Sequence, residues 1–311
     1  FDAFRDFQGR TGATIDSLAL NATYGARIRQ GGALVLQSSG GGWRLASPLD
    51  LAIGGRDLPD VKLALRQSGG TGWSGNLVVA TYTSGGASLS VPGLAFNGRP
   101  GGAWTFDGQA RLSGPLPDGM ISGLSLPIDG RYDERGFALY NSCQNVRFDS
   151  AKISSLTLRD QNLRLCPDGG GSMLTMGAGG TRFATNISNF AANGMLGSTP
   201  INANSANVRF SLTDGFAARD VKVTLGRDTG MTTFNMAGLT GDFGGSAITG
   251  TLSGGAGQIA NVPLLIDEAA GNWRYLNNVL NFDASLRVLD AADVDRFQPM
   301  SVPDMILSLE N

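Results

Sequence analysis

Glycine punctuation of short alternating runs constrains this chain more than any other feature. Val61-Lys-Leu-Ala-Leu65, Val208-Arg-Phe-Ser-Leu212, Val221-Lys-Val-Thr-Leu225 and Leu286-Arg-Val288 place apolar residues at i, i+2 and i+4, the period that gives a strand one dry face and one wet face. Between such runs stand Gly31-Gly32, Gly40-Gly41-Gly42, Gly54-Gly55, Gly69-Gly70, Gly85-Gly86, Gly101-Gly102 and Gly244-Gly245. These supply the positive φ of tight reversals, about every 10–12 residues, as in all-β architectures. The expectation is an all-β fold of about 23 strands, among them Ile153–Arg159, Ile201–Asn204, Asn207–Leu212 and Ile259–Ile266, with Val279–Val288 the last. At about 4.8 Å per strand, sequential pairing gives a sheet on the order of 100 Å long, which twist would wrap into a trough, a helix or two packed layers; of these the elongated, mainly antiparallel trough is the expectation carried forward. A single elongated unit over residues 1–311 is expected, since composition nowhere shifts as it does at a linker. A helical turn is expected only at Asp290–Phe297, with Asp290 as N-cap and Pro299 as stop.

Several function classes lose support on composition. The chain has no histidine, which removes the Ser-His-Asp and Cys-His arrangements and the commonest zinc sites. Its net charge is −2, so no basic surface is expected for nucleic acid. The one G-x-G-x-x-G match, Gly70-Thr-Gly-Trp-Ser-Gly75, leads into a strand rather than a helix. The densest carboxylates, Asp267-Glu268 and Asp290, Asp293 and Asp295, suit turns and caps better than catalysis. No cofactor, metal site or enzymatic activity is expected. No run of eighteen apolar residues occurs, and Phe1–Phe7 lacks the apolar core of a signal peptide, so the chain reads as a soluble piece of a longer protein.

Two features stay open on the residues alone. Cys143 and Cys166, 23 positions apart, would form one staple in an oxidising compartment and two buried thiols in cytosol. Residues 169–208 hold a single charged side chain, Arg182; they suit either a channel lining for something greasy or a narrow β core.

Asn141-Ser-Cys-Gln-Asn-Val-Arg-Phe148, continuing to Leu163-Arg-Leu-Cys-Pro167, is similar to a cysteine pair of the YdbH branch of the AsmA-like (TamB/YhdP/YdbH) bridge-like lipid-transfer proteins. Gly271-Asn-Trp-Arg-Tyr-Leu-Asn-Asn-Val-Leu280, Leu286-Arg-Val-Leu-Asp290 and Arg296-Phe-Gln-Pro-Met300 resemble a strand pair and F-x-P segment of that branch. The resemblance implies a periplasmic protein of diderm bacteria, anchored in the inner membrane by a part not in this chain. Its curled sheet would carry phospholipid acyl chains toward the outer membrane, and Cys143 and Cys166 would be paired. A dicarboxylate-transport role finds no clustered Arg or Lys to support it.

Alternation offers groove candidates: Val61, Leu63, Leu65, Leu156, Leu158, Val208, Phe210, Leu212, Val221, Val223, Leu225, Phe234, Met236, Leu286 and Val288. Each is equally an ordinary core residue. The competing class is a β-helical or sandwich-like adhesin that binds polysaccharide, with Trp43, Trp73, Trp104 and Trp273 as stacking platforms.

Overall fold

The computed structural model describes residues 12–15, 17–21, 24–28, 34–39, 42–45, 49–55, 58–68, 71–116, 119–227, 230–260, 262–277, 279–292 and 296–310. The fold is all-β: 80% of it is strand, with no helix among the described residues. The chain divides into two compact units, the first comprising Phe1–Pro115, Ile121–Tyr140 and Met176–Gly179, and the second Leu116–Met120, Asn141–Thr175 and Gly180–Asn311.

In the first unit, β1 (Gly12–Ile15), β4 (Leu34–Ser39) and β5 (Gly42–Leu45) form a small antiparallel sheet in the order β1-β4-β5. A separate antiparallel series runs through β2 (Ser17–Asn21), β3 (Tyr24–Ile28), β6 (Leu49–Gly55), β7 (Leu58–Ser68), β8 (Gly72–Ser84), β9 (Ala87–Gly98) and β10 (Trp104–Leu116). β11 (Gly119–Asp133) pairs with β12 (Gly136–Leu139). β11 is tied to β10 where Gln109 Nε2 donates to Ser125 Oγ (2.7 Å) and the Gly123 amide to Ser113 Oγ (2.9 Å). The candidates Val61, Leu63 and Leu65 on β7 lie opposite Val79, Leu77 and Gly75, and all three are half-buried.

The second unit is a meander of β13 (Gln144–Ile153), β14 (Leu156–Pro167), β16 (Gly180–Leu196), β17 (Thr199–Ser211), β18 (Gly215–Leu225), β19 (Thr232–Gly241), β20 (Ile248–Gln258), β21 (Leu264–Leu276), β22 (Val279–Asp290) and β23 (Met300–Glu310). Each pairs antiparallel with the next. The short β15 (Leu174–Gly177) leads into β16. Several reversals take only two or three residues, as at Ser154–Ser155, Gly197–Ser198 and Leu212–Asp214, and antiparallel neighbours need no crossover.

Strand boundaries differ from the alternation pattern in an instructive way. Ile201–Asn204 and Asn207–Leu212, expected as two strands, belong to β17 up to Ser211, and the expected strand Ile153–Arg159 straddles the turn between β13 and β14. The expected Ile259–Ile266 straddles the turn before β21, and β23 was not expected. The described residues of Asp290–Phe297 are not helical. Asp290 nevertheless acts as a local cap, accepting the amides of Ala292 (2.9 Å) and Arg296 (2.8 Å); residues 293–295 lie outside the described set.

Cys143 and Cys166 form a disulfide with Cα atoms 4.0 Å apart. Their separation of 23 residues corresponds to a loop-closure contribution of about 3 kcal/mol in the chain-entropy model. The link sits at the open end of the β13–β14 hairpin, beyond the Gln144–Leu165 pair, where strand ends otherwise fray. Thr185 Oγ1 donates to the Cys166 carbonyl (3.0 Å), tying the same end to β16.

Candidate functional site

The second unit presents an apolar face ordered in rows. Ile187, Val208, Ala218, Leu239, Leu252, Gly271 and Ala284 are successive cross-strand partners from β16 to β22. A second row runs from Ala192 through Ala203, Val223, Phe234, Gly257, Ile266 and Val288 to Met300 on β23. Directly opposed residues share a face, so each row is a continuous apolar strip. The adjacent rows are polar or small: Ser188, Asn207, Arg219, Gly238 and Ser253 in one, Asn193, Asn202, Thr224, Thr233 and Gln258 in another.

The two apolar rows cannot both face one side of a regular strand. Ala218 and Val223 on β18 are five residues apart, and strict alternation sends them to opposite faces. Burial nevertheless follows Ala218, Val221, Val223 and Leu225, leaving Arg219 and Asp220 exposed. The pleat thus takes a three-residue step between Ala218 and Val221. The same step separates Leu158 from Gln161 on β14, Ile187 from Phe190 on β16, Val208 from Ser205 on β17, Leu239 from Met236 on β19 and Leu252 from Gly255 on β20.

At four of these steps, and on β21, sit residues in the left-handed region: Asp160 (φ 50°), Asn189 (φ 53°), Asp220 (φ 51°), Gly254 (φ 57°) and Glu268 (φ 52°). Asn, Asp and Gly are the residues that enter this region at least cost. Register sets Asn189, Asp220 and Gly254 in one line, through Ala206 on β17 and Ala237 on β19, and that line is a crease in the sheet. A crease disturbs the ladder, and buried carbonyls without partners are costly. Two of the three buried polar side chains of the described residues, Gln161 (5% exposed) and Ser205 (5%), meet that need. Gln161 Nε2 donates to the carbonyls of Arg159 and Asn193, and Ser205 Oγ to those of Asn207 (3.0 Å) and Arg219 (2.6 Å).

Toward one rim the apolar face turns aromatic. Thr185, Phe210, Phe216 and Gly241 are successive partners, as are Gly250, Trp273, Phe282 and Leu307, and the Asp242–Thr249 bridge joins the two series. Ring contacts run Phe183–Phe210 (6.0 Å between centroids), Phe210–Phe243 (5.7 Å), Phe243–Phe216 (6.2 Å) and Phe216–Trp273 (6.1 Å). Phe216 lies over Gly241 and Trp273 over Gly250, where an added Cβ would come within 2.6 Å of the indole. Trp104 covers Gly98 similarly. Glycine lets a large ring lie flat on a neighbouring strand. Trp273 Nε1 is buried without a hydrogen-bond partner, while the residue as a whole is half-buried. The Trp43 side chain lies outside the described residues.

This face is only half covered. The buried hydrophobic residues are mostly alanine and valine, and Met173 is the one large side chain fully buried among the described residues. Val208, Phe210, Val223, Leu225, Phe234, Met236, Leu286 and Val288 stay half-buried, Val221 is buried (8%) and Leu212 is 53% exposed. Leu156 and Leu158 pair with Leu196 and Gly194 of β16 and are half-buried. The second unit's strands touch chiefly their ladder neighbours. Ile187, Phe190 and Ala192 belong to the apolar face but fall in the stretch 169–208, where the sequence left core and channel undecided.

The carboxylates take structural roles. Glu268 pairs with Arg287 (2.9 Å). Asp290, whose side chain is inaccessible, is gripped by Arg296, which also donates to the Pro263 carbonyl (3.0 Å) and so joins two turns of one rim. Asp293 and Asp295 lie outside the described residues. No group of three or more His, Cys, Asp or Glu gathers among the described residues. A cavity of about 950 Å³ adjoins the aromatic row and includes both sequence neighbours of its members, among them Arg209, Thr240, Thr251, Asn272 and Asp283. Those side chains belong to the polar rows, with Arg209 paired to Asp168 (3.4 Å).

The Arg296 hydrogen bond, aided by the two amides and opposed by burial, holds the Asp290 carboxyl well below its ordinary value of 3.8. A depressed carboxylate stabilises the fold above its unfolded pKa and loses that contribution as pH falls through the folded value. Asp290→Ala is therefore expected to melt below the parent protein above about pH 5, with the gap narrowing steadily below about pH 4. Thermal denaturation by circular dichroism across that range checks it, and a gap independent of pH would show that the carboxylate is not the source.

No family model matches the chain, and neither curated proteins nor solved structures provide a match.

Proposed function

We propose that this chain is part of a bridge-like lipid-transfer protein, and that its apolar sheet face carries phospholipid acyl chains between the inner and outer membranes of a diderm bacterium. The observation that carries this reading is the pair of apolar rows, registered over seven and eight strands and left half-exposed. A face of that extent needs a cover, because soluble proteins rarely leave contiguous apolar surface in water. An acyl chain of about sixteen carbons gains on the order of 10 kcal/mol on leaving water, at about 0.8 kcal/mol per methylene. No catalytic group or cofactor is needed for that task.

Movement along the face requires nearly even affinity. Rows built from Ala, Val, Leu, Ile, Phe and Gly provide no charge against which the cargo would stall. Ser205 directs its hydroxyl at two of the sheet's own carbonyls, so on β17 the crease presents little polarity to an alkyl chain. The Cys143–Cys166 disulfide accords with a periplasmic location, and an inner-membrane anchor in a longer protein belongs to the same proposal.

The protein isolated from bacterial envelopes is expected to retain phospholipid in native mass spectrometry and to take up a fluorescent lipid from vesicles. Lipid-free protein that takes up none would overturn the proposal.

A further inference from the structure

Resting on the lipid-carrier reading, we infer that the crease is the keel of the binding track: the two apolar rows are opposite walls of one groove, and an acyl chain lies along the crease, across the strands. Asn189, Asp220, Gly254 and Glu268 stand on four strands of one unit with φ between 51° and 57°. Register is unbroken through this line in the β16–β17, β17–β18 and β18–β19 pairs. Neighbouring strands therefore change phase together, and apolar side chains emerge on one side of the sheet both before and after the line.

Beside the line stand Ile187, Val208, Ala218, Leu239 and Leu252 on one side and Phe190, Ser205, Val221, Met236 and Gly255 on the other, and the rings of Phe210, Phe216, Trp273 and Phe282 stand farther out on one wall. The longer row crosses eight strands, and seven intervals of about 4.8 Å give a track of roughly 34 Å. The hydrocarbon core of a whole bilayer is about 30 Å thick, so one leaflet's chain spans about half of it. Two chains fit end to end.

The assignment differs sharply from simple alternation on β16. Ile187 and Phe190 both line the groove, while Ser188 and Ala191 face water, as their exposure already indicates. A regular strand would instead group Ile187 with Asn189 and Ala191, and Ser188 with Phe190.

Site-specific photo-crosslinking separates these outcomes. A benzophenone amino acid is placed singly at positions 187, 188, 190 and 191 of the full chain, expressed in the bacterial envelope. Folding of each variant is verified by an intact Cys143–Cys166 link on non-reducing mass mapping. Irradiation is expected to attach phospholipid at 187 and 190, at least tenfold above 188 and 191. Attachment at 187 and 191, or at 188 and 190, would overturn the keel while leaving lipid carriage standing. No attachment at any of the four, in protein that also lacks bound phospholipid, would overturn both. No attachment in protein that does carry phospholipid would overturn the keel alone.

Discussion

Val223→Asp is expected to reduce lipid transfer by at least a hundredfold. Val223 is half-buried on β18, directly opposite Ala203 and Phe234 in the longer apolar row. A carboxylate there meets the cargo with no partner on the facing strands, and an unpaired charge against alkyl chains costs several kcal/mol; each 1.4 kcal/mol is a factor of ten in rate. Lys222 on the same strand is exposed and opposes Asn204 and Asn235, so Lys222→Asp should transfer at a near-parental rate. Transfer between vesicles, or of radiolabelled phospholipid between membranes in cells, measures both. A folded Val223→Asp protein with unchanged transfer would remove Val223 from the cargo path.

Gly250→Val should lower stability by about 1–3 kcal/mol or more, the scale of overpacking in a fixed core. A Cβ at this position meets the Trp273 ring at 2.6 Å and collides with the Thr240 carbonyl, and backbone on a central strand cannot withdraw as a surface side chain would. Part of the cost comes from the ring, which gives a second arm. In a Trp273→Leu background the smaller side chain relieves part of the clash, so the two changes should couple rather than add. Urea denaturation of the four proteins of this cycle measures it. Strict additivity would mean that the glycine serves only the backbone contact.

The sequence made the fold class legible wherever alternation ran undisturbed. Val221-Lys-Val-Thr-Leu225 and Val61-Lys-Leu-Ala-Leu65 are strands in the expected phase, because a half-buried strand writes its two faces directly into the residue order. One error falls at the crease. Asn204-Ser-Ala-Asn207 looked like a gap between strands, yet it is the middle of β17, where Ser205 is buried and its hydroxyl secures two carbonyls. A period-2 template cannot continue through a three-residue step, so one strand was divided into two. The signal was nonetheless present: Asp160, Asn189 and Asp220 each stand just before a residue of the buried face, Gln161, Phe190 and Val221. β23 escaped notice because Pro303 and Asp304 interrupt its alternation. For the candidate groove residues, alternation supplied the even-numbered set on β17 and the odd-numbered set on β18. Placing them beside Ile187, Phe190 and Ala192 required the cross-strand register, which no local pattern contains.

The constant register of the β16 to β19 hairpins carries an evolutionary corollary. Each hairpin contributes about 9.6 Å of sheet, twice the interstrand spacing, and meets its neighbours through the same matched pairs. Duplicating or deleting one such module would lengthen or shorten the path by a fixed increment without dislocating what lies on either side. Genomes could thereby tailor reach to the width of a compartment by copying a short stretch of gene, with no need to redesign the surface that carries the load.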